Sequence, residues 1–379
     1  MNENQTRILI FSTNYLPHIG GAELATKDII DRLGDSFQID IITARYSSKM
    51  PLKEQIGQAR VHRIGLGLGV LDKLILALWG GMLGAKIHEK KKYDIVHSVQ
   101  ASYGGIAAYF FKKKFPEVPF VLNLQEGKEL GKQWSAVQYW RPKIIKAADK
   151  ITVISKYLEN YVKDQGIDMN KVHLIPNGVD LNKFGKEYSY GELEDLKNKL
   201  GIKPYEKIIL TSSRLEKKNN VGAVIGAVRK LNNKDVKLLI VGSGSLKNHL
   251  KTKAETLGIN DRVVFAGVVK HEELPKYLAI SHVFVRPSIS EGLGTAFLEA
   301  MAAGVPIIGT NIGGIPDFLK DFETGLFSSV DAEDVAKKIS LVLKDEELRK
   351  KLISNGRKLI EEKYQWDNIA EKYKQIYLS

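Results

Sequence analysis

Two periodicities alternate along the chain. Short apolar runs at Arg7–Ser12, Ile39–Thr43, Asp94–Val99, Phe120–Leu124, Lys150–Ile154 and Lys171–Ile175 are too short for helices and read as buried strands. Pro17 and the Gly20-Gly21 pair interrupt the chain after the first run. Ala22, Ala25, Ile29 and Leu33 then recur at helical spacing until Gly34. The second half repeats this plan. It predicts strands at Lys207–Thr211, Val236–Val241, Arg262–Ala266, Val283–Val285 and Val305–Gly309, and helices at Val221–Lys230, Leu246–Thr256, His271–Leu278 and Thr295–Ala302. Residues from Asp331 to Ser379 read as helical and free of strands.

Strands joined through helices run parallel by right-handed crossovers, so each half predicts an open, doubly wound α/β sheet of Rossmann-like type. Ile175-Pro-Asn-Gly-Val-Asp180 is a turn by composition and marks the division. The expected domains are 1–182 and 183–362, with a terminal helix over 363–379 crossing back to the first domain. Two such domains facing each other enclose a cleft, and ligands of these sheets bind where strands end and glycine loops open helices.

Length agrees, since 379 residues exceed one ordinary core. The absence of cysteine excludes disulfides, thiolate metal sites and a cysteine nucleophile, and fits a reducing, cytoplasmic setting. Met-Asn-Glu-Asn-Gln-Thr at the start is no basic-then-apolar leader. The longest uncharged apolar run, Leu74 to Ala85, falls short of the roughly 20 residues that span a bilayer. A net charge of +13 admits an anionic partner. That charge is divided, with +7 in the first 180 residues, which counts against the concentrated basic stripe of a nucleic-acid binder.

The segment Ser290-Glu-Gly-Leu-Gly-Thr295, continuing to Pro306, follows an expected strand and opens an expected helix. Gly292 and Gly294 let backbone amides approach an anion at the helix N-terminus. Glu291 precedes the glycines and Glu299 lies about two turns further on, so one carboxylate can face a sugar and the other a ribose.

This segment, with Gly313-Gly-Ile-Pro-Asp317, resembles the signature of glycosyltransferase family 4, whose mark is two glutamates separated by seven residues. Gly20-Gly21-Ala-Glu23, Ile175–Asp180 and Ser213-Arg214-Leu215 match the family's N-terminal glycine loop, interdomain turn and basic loop in order. The resemblance covers nearly the whole chain. It implies a GT-B fold and a retaining transfer of a sugar from a nucleotide-diphosphate donor, UDP- or GDP-linked, to a hydroxyl acceptor. That acceptor is a glycan, a lipid-linked group or a small molecule.

The resemblance also assigns roles. Arg214 and a nearby lysine would stabilise the departing diphosphate in place of a metal, and no Asp-x-Asp pair occurs in the chain. No cofactor beyond the donor is implied. Relatives carry the lysine four or more residues after Arg-Leu, whereas Lys217 and Lys218 stand closer here. Lys218 is the favoured candidate and Lys217 its rival. Gly20 and Gly21 would lie over the donor phosphates. Gly242 and Val268 would line the nucleotide side, with Gly292, Leu293, Gly294, Thr295 and Glu299. Leu293 replaces the usual phenylalanine. Where many relatives carry a histidine this chain has Gln125, followed by Glu126, which could orient or deprotonate the acceptor hydroxyl.

Leu74, Leu78, Gly81 and Ala85 share one helical face ahead of Lys86 and Lys90–Lys92. Two readings stand: peripheral contact with an anionic membrane at the inner face of the cell membrane, or packing beneath the sheet. The rival functions are an epimerase or phosphorylase on the same fold, and a non-catalytic binder of nucleotide sugars or nucleic acid.

Overall fold

The computed structural model describes residues 5–18, 20–127, 135–231 and 233–379; Met1–Asn4, on which the reading of a leaderless start partly rests, lie outside them. The chain divides into two compact units. One comprises Met1–Asn177 with Trp366–Ser379, the other Gly178–Gln365.

The first unit is built on eight strands: β1 (Thr6–Ser12), β2 (Phe37–Ala44), β3 (Lys53–Ile56), β4 (Ala59–Ile64), β5 (Ile95–Val99), β6 (Phe120–Leu124), β7 (Lys150–Val153) and β8 (Val172–Leu174). Their order is β3-β4-β2-β1-β5-β6-β7-β8, and every pairing is parallel except β3 with β4. β5 is buried throughout, as a parallel strand covered on both faces must be. One face packs under the Gly21–Leu33 helix and the terminal Trp366–Leu378 helix, where Ile29, Ile30 and Leu33 join Trp366, Ile369, Tyr373 and Tyr377 in one cluster.

The second unit has β9 (Lys207–Ser212), β10 (Val236–Val241), β11 (Val263–Gly267), β12 (Val283–Arg286), β13 (Ile307–Gly309) and β14 (Leu326–Phe327), in the order β11-β10-β9-β12-β13-β14, all parallel. Its core joins Val224, Ile225 and Val228 of the Val221–Lys230 helix to Val335, Ile339 and Val342 of the Ala332–Lys344 helix across β9, β10 and β12.

The units divide between Asn177 and Gly178 rather than after residue 182. The side chain of Asn177 donates to Gln125 in the first unit, while the Val179 N–H already bonds the Tyr364 carbonyl in the second. The terminal helix begins at Trp366 rather than at 363 and packs within the first unit. The sequence reading omitted β3, β4 and β14. β3 is a polar edge strand, and β4 carries Arg60, His62 and Arg63. Burial of His62 is met by Asp40 at 2.8 Å, which also takes Lys91 at 2.8 Å. Burial alone would raise the Asp40 pKa, but the hydrogen bonds from His62 and Lys91 outweigh it and hold the group at about 2.

Candidate active site

The parallel strands of each sheet reverse their order once, between β1 and β5 in the first unit and between β9 and β12 in the second. Loops leaving the two strands at such a point diverge to opposite faces and open a crevice at the strand ends. The sequence candidates concentrate in these loops.

In the second unit the loop after β9 carries Arg214, Lys217 and Lys218, and the loop after β12 carries Glu291 to Gly294. A backbone bond joins them, with the Ile289 N–H donating to the Lys218 carbonyl at 2.7 Å. Lys217–Asn219 form a single 3-10 turn rather than an extended loop. Successive residues of such a turn point about 120° apart, so the two lysines still diverge. Lys217 and Arg214 are exposed and Lys218 is half-buried. The Asn219 side chain braces the loop by donating to the Arg214 carbonyl at 2.6 Å. Gly242 has a φ of 124°, and a Cβ there would run into the Ser213 carbonyl, so only glycine lets the β10 loop lie against the base of the basic loop.

Glu291 is held on every side. Its Oε2 accepts from Arg286 at 2.6 Å, its Oε1 from the Gly292 N–H at 3.1 Å, and its carbonyl from the Gly314 N–H at 3.3 Å. Arg286 ends β12, lies 4.7 Å over the Phe297 ring, and keeps its Nε buried without a partner. Charge-assisted bonds of this kind fix a carboxylate's direction. Gly294, at a φ of 99°, takes the left-handed conformation that starts the Thr295–Ala302 helix. Leu293 is 1% exposed, so only its backbone can meet a ligand, whereas Thr295 is half-buried.

Glu299 is buried on that helix and meets His271, Nε2 to Oε1 at 2.8 Å. Lys183 Nζ approaches His271 Nδ1 at 2.7 Å. An ammonium can only donate, so Nδ1 accepts and Nε2–H donates to Glu299. One oxygen of Glu299 is thereby oriented. His271 stands three residues after Val268, which is 79% exposed, in the loop leaving β11. Arg286 and His271 were absent from the sequence candidates. The available signals were an arginine at a strand end five residues before Glu291 and a histidine beside the expected nucleotide loop.

The first unit's crevice is wired differently. Thr13, after β1, pairs with Ser102 at 2.9 Å and accepts from the Gly104 N–H at 3.1 Å. Glu126, after β6, accepts from the Ala101 N–H at 2.9 Å, and its Oε2 is buried with no hydrogen-bond partner among the described residues. Burial pushes its carboxyl pKa up, only partly offset by the Arg141 charge and backbone N–H groups. Gln125 is spent on structure, donating to Asn123 at 2.7 Å and accepting from Asn177 at 3.0 Å. His97 bonds the Tyr377 hydroxyl at 2.6 Å and stacks on Tyr373. Gly20 caps the Gly21–Leu33 helix, and a Cβ on Gly21 would meet only open space. Packing among the described residues therefore does not require glycine at 21.

Residues 19–183 match the model described as Glycosyltransferase Family 4, and residues 193–359 the model described as Glycosyl transferases group 1. The chain is 30% identical to the N-acetyl-alpha-D-glucosaminyl L-malate synthase of Bacillus anthracis over 77% of its own length and 76% of that protein. It is 27% identical, over 98% and 97%, to an uncharacterized glycosyltransferase of Methanocaldococcus jannaschii. Among solved structures it superposes on the sucrose-phosphate synthase of Thermosynechococcus elongatus with a TM-score of 0.87 at 22% identity, covering 98% of each chain. It superposes on Anabaena HepE in complex with UDP and glucose with a TM-score of 0.81 at 17% identity, over 98% and 99%.

Proposed function

The chain belongs to glycosyltransferase family 4 and is built on the GT-B fold, and from that premise we propose that it is a metal-independent, retaining transferase using a UDP- or GDP-sugar. The observation that carries the reading is the bond between Lys218 and Ile289. It ties the loop bearing Arg214 and Lys218 to the loop bearing Glu291 and the helix start, at the switch point of one sheet. Cations and a helix N-terminus converging there suit a diphosphate.

In the proposed reaction the bond from the sugar's anomeric carbon to the diphosphate oxygen breaks, and negative charge grows on the leaving group. Arg214, Lys218 and the amides at Gly292–Thr295 meet that charge, which is the kind of preorganised stabilisation that contributes most to catalysis. The acceptor hydroxyl attacks the same face of the sugar and gives its proton to the departing phosphate oxygen, so the anomeric configuration is kept. Glu291, aimed by Arg286, holds the transferring sugar. Glu299, aimed by His271, holds the ribose hydroxyls. Val268 and the backbone at Gly242 border the nucleotide, and Gly20 and Gly21 approach the phosphates. Glu126, with one oxygen tied and the other unpartnered among the described residues, orients the acceptor hydroxyl; a carboxyl with a raised pKa suits that task. A cytoplasmic setting, read from the cysteine-free sequence, belongs to the same proposal. Relatives' names support both donor types and a hydroxyl acceptor: one is a GDP-mannose-dependent mannosyltransferase of Mycobacterium tuberculosis, another a UDP-Gal galactosyltransferase of Escherichia coli acting on a diphosphoundecaprenol-linked sugar.

A donor screen tests the proposal. UDP- and GDP-sugars are incubated with hydroxyl acceptors, nucleoside diphosphate release is measured with and without EDTA, and the product anomer is read by NMR. Acceptor-dependent release with retained configuration, undiminished by EDTA, is expected. An inverted product, or activity lost in EDTA and restored by manganese, overturns the mechanism. Release that needs no acceptor, or that needs inorganic phosphate instead, favours an epimerase or a phosphorylase.

A further inference from the structure

The helix Leu71–Lys90 in the first unit has its side chains inside out. The face turned to the protein is rich in small residues: Ala77, Gly80, Gly81, Gly84 and Ala85 are buried there beside Leu76 and His88, and a Cβ on Gly81 would collide with the Ala107 carbonyl of the neighbouring Tyr103–Lys114 helix. Five large apolar side chains lie on the outer face. Leu71 is 57% exposed, Leu78 57% and Met82 57%, with Leu74 and Trp79 exposed beside them. An ordinary surface helix shows polar residues there. Leu74, Leu78, Gly81 and Ala85 do share one row, as their spacing predicts, and that row runs along the edge of the covered face: Leu74 and Leu78 are exposed, Gly81 and Ala85 buried.

The apolar surface continues on both sides of the helix. Before it, the Asp72 carboxylate accepts the N–H groups of Leu66 and Gly67 at 2.6 and 3.2 Å, and the loop it anchors holds Leu66, Leu68 and Val70 exposed. Beside it, Met82, Ala85 and Phe110 share a shallow depression edged by Lys86, Glu89 and Lys114. Phe110 leads on to Trp140 and Tyr139, with Lys143 only 3.7 Å from the Tyr139 ring. Lys113 and Lys146 add positive charge, and Glu89 is already paired with Lys114. Contiguous exposed apolar area of this kind marks a surface that something covers.

We infer that this face docks on an anionic lipid bilayer, with Leu66, Leu68, Leu71, Leu78, Trp79 and Met82 entering the headgroup boundary and the surrounding lysines meeting lipid charge. Among the described residues no helix is long and apolar enough to cross a membrane, so the contact lies in the plane of the surface. Charge complementarity selects a bilayer over a second copy of the chain. Two copies would bring their lysine rims together, on molecules that each carry +13. Lysine is also depleted in protein interfaces, whereas lysine, tryptophan and tyrosine around an apolar centre suit the headgroup region. The docking surface stands apart from the transfer reaction; only its consequence, an acceptor presented by the membrane, rests on the glycosyltransferase reading.

The test is flotation of the full chain with vesicles of phosphatidylcholine alone or mixed with phosphatidylglycerol, at low and high salt. Two variants accompany the wild type: Leu74→Gln with Leu78→Gln and Met82→Gln, and Lys86→Glu with Lys113→Glu. All of these positions are solvent-facing, so melting temperatures should hold. Binding to the anionic vesicles is expected, weakened by salt, and reduced at least about tenfold by either variant. Nucleoside diphosphate release from soluble donor should remain at wild-type level in both, which separates failure of the surface from failure of the enzyme reading. No flotation, equal flotation of wild type and variants, or self-association abolished by the leucine variant in the absence of vesicle binding would each overturn the inference.

Discussion

The two units share a sheet plan and a crevice at the point where strand order reverses, yet they fill that crevice with different chemistry. In the second unit charge is paired and aimed: Arg286 on Glu291, and Lys183 through His271 on Glu299. In the first unit the corresponding loops are joined by neutral groups, Thr13 with Ser102 and Gln125 with Asn123 and Asn177, and one carboxylate, Glu126, is left with an oxygen unpartnered among the described residues. Their outer surfaces differ too. Exposed apolar residues of the second unit, such as Tyr190, Val268 and Phe322, lie far apart in the sequence on separate elements. Those of the first unit crowd onto one helix and its preceding loop. A shared fold therefore positions loops and leaves their chemistry to the residues placed on them. In the proposed reaction aimed carboxylates suit the hydroxyls of a sugar donor, and a neutral network around a buried carboxyl tied through one oxygen suits a hydroxyl acceptor.

The sharpest way to break this contrast is to remove the cation assigned to the leaving group. Lys218→Ala should lower transfer at saturating donor by roughly 10²–10³-fold, the loss seen when one preorganised donor is removed from a developing anion. Lys217→Ala, at an exposed position, should stay near wild type. Rates of both single variants, with folding checked by melting, decide the matter: the reverse pattern moves the role to Lys217, and two silent variants leave Arg214 and the helix start alone.

A smaller effect should separate the two glutamates. Glu299→Gln should weaken donor binding by about 1.5–3 kcal/mol, the cost of a hydrogen bond to a charged group, while Glu291→Gln should act mainly on turnover. Donor dissociation constants by calorimetry, set beside steady-state rates, would show this split. An unchanged donor affinity in Glu299→Gln would remove the ribose assignment, and with it the purpose given to His271.

The mildest test compares how acid reaches the two cores. Burial pulls the His97 pKa down to about 3 in the first unit and contributes most to lowering that of His282 to about 4 in the second. The unfolded chain takes up these protons near pH 6.5, while the folded chain refuses them until much lower pH. Stability that is fully present above about 6.5 should therefore fall as pH drops toward 4 and below. His97→Gln and His282→Gln should each flatten the fall in melting temperature between pH 7 and 4. If only one does, acid lability belongs to that unit alone.

Much of this was legible from residues in order. The bounds of β6, β10 and the helices Val221–Lys230 and Thr295–Ala302 coincide with the apolar runs and helical spacings that predicted them. Parallel strands buried on both faces show a strong local signal, and glycine marks where a helix starts. The same rule fails for β3 and β4. There the apolar pattern is diluted by arginines and by His62, whose burial depends on Asp40, about twenty residues away and on another strand. Resemblance to the family's motifs placed Glu291, Glu299 and Arg214 in the candidate set. What it could not contain were the groups that aim them.

The sequence by itself determined the fold class, the division into two units and the residue types at the strand ends, because each depends on neighbours a few positions apart. Tertiary structure decided which groups meet. Arg286 reaches Glu291 because a strand end and a loop turn back on one another, and His271 reaches Glu299 across 28 residues of chain. It also decided which side of Leu71–Lys90 faces water. Helical periodicity places Leu74, Leu78, Gly81 and Ala85 on one row, but not which part of that row a neighbour covers. Close approach of the Tyr103–Lys114 helix requires glycine at 80 and 81, and leaves Leu71, Leu74, Leu78 and Met82 facing outward while Leu76 packs inside.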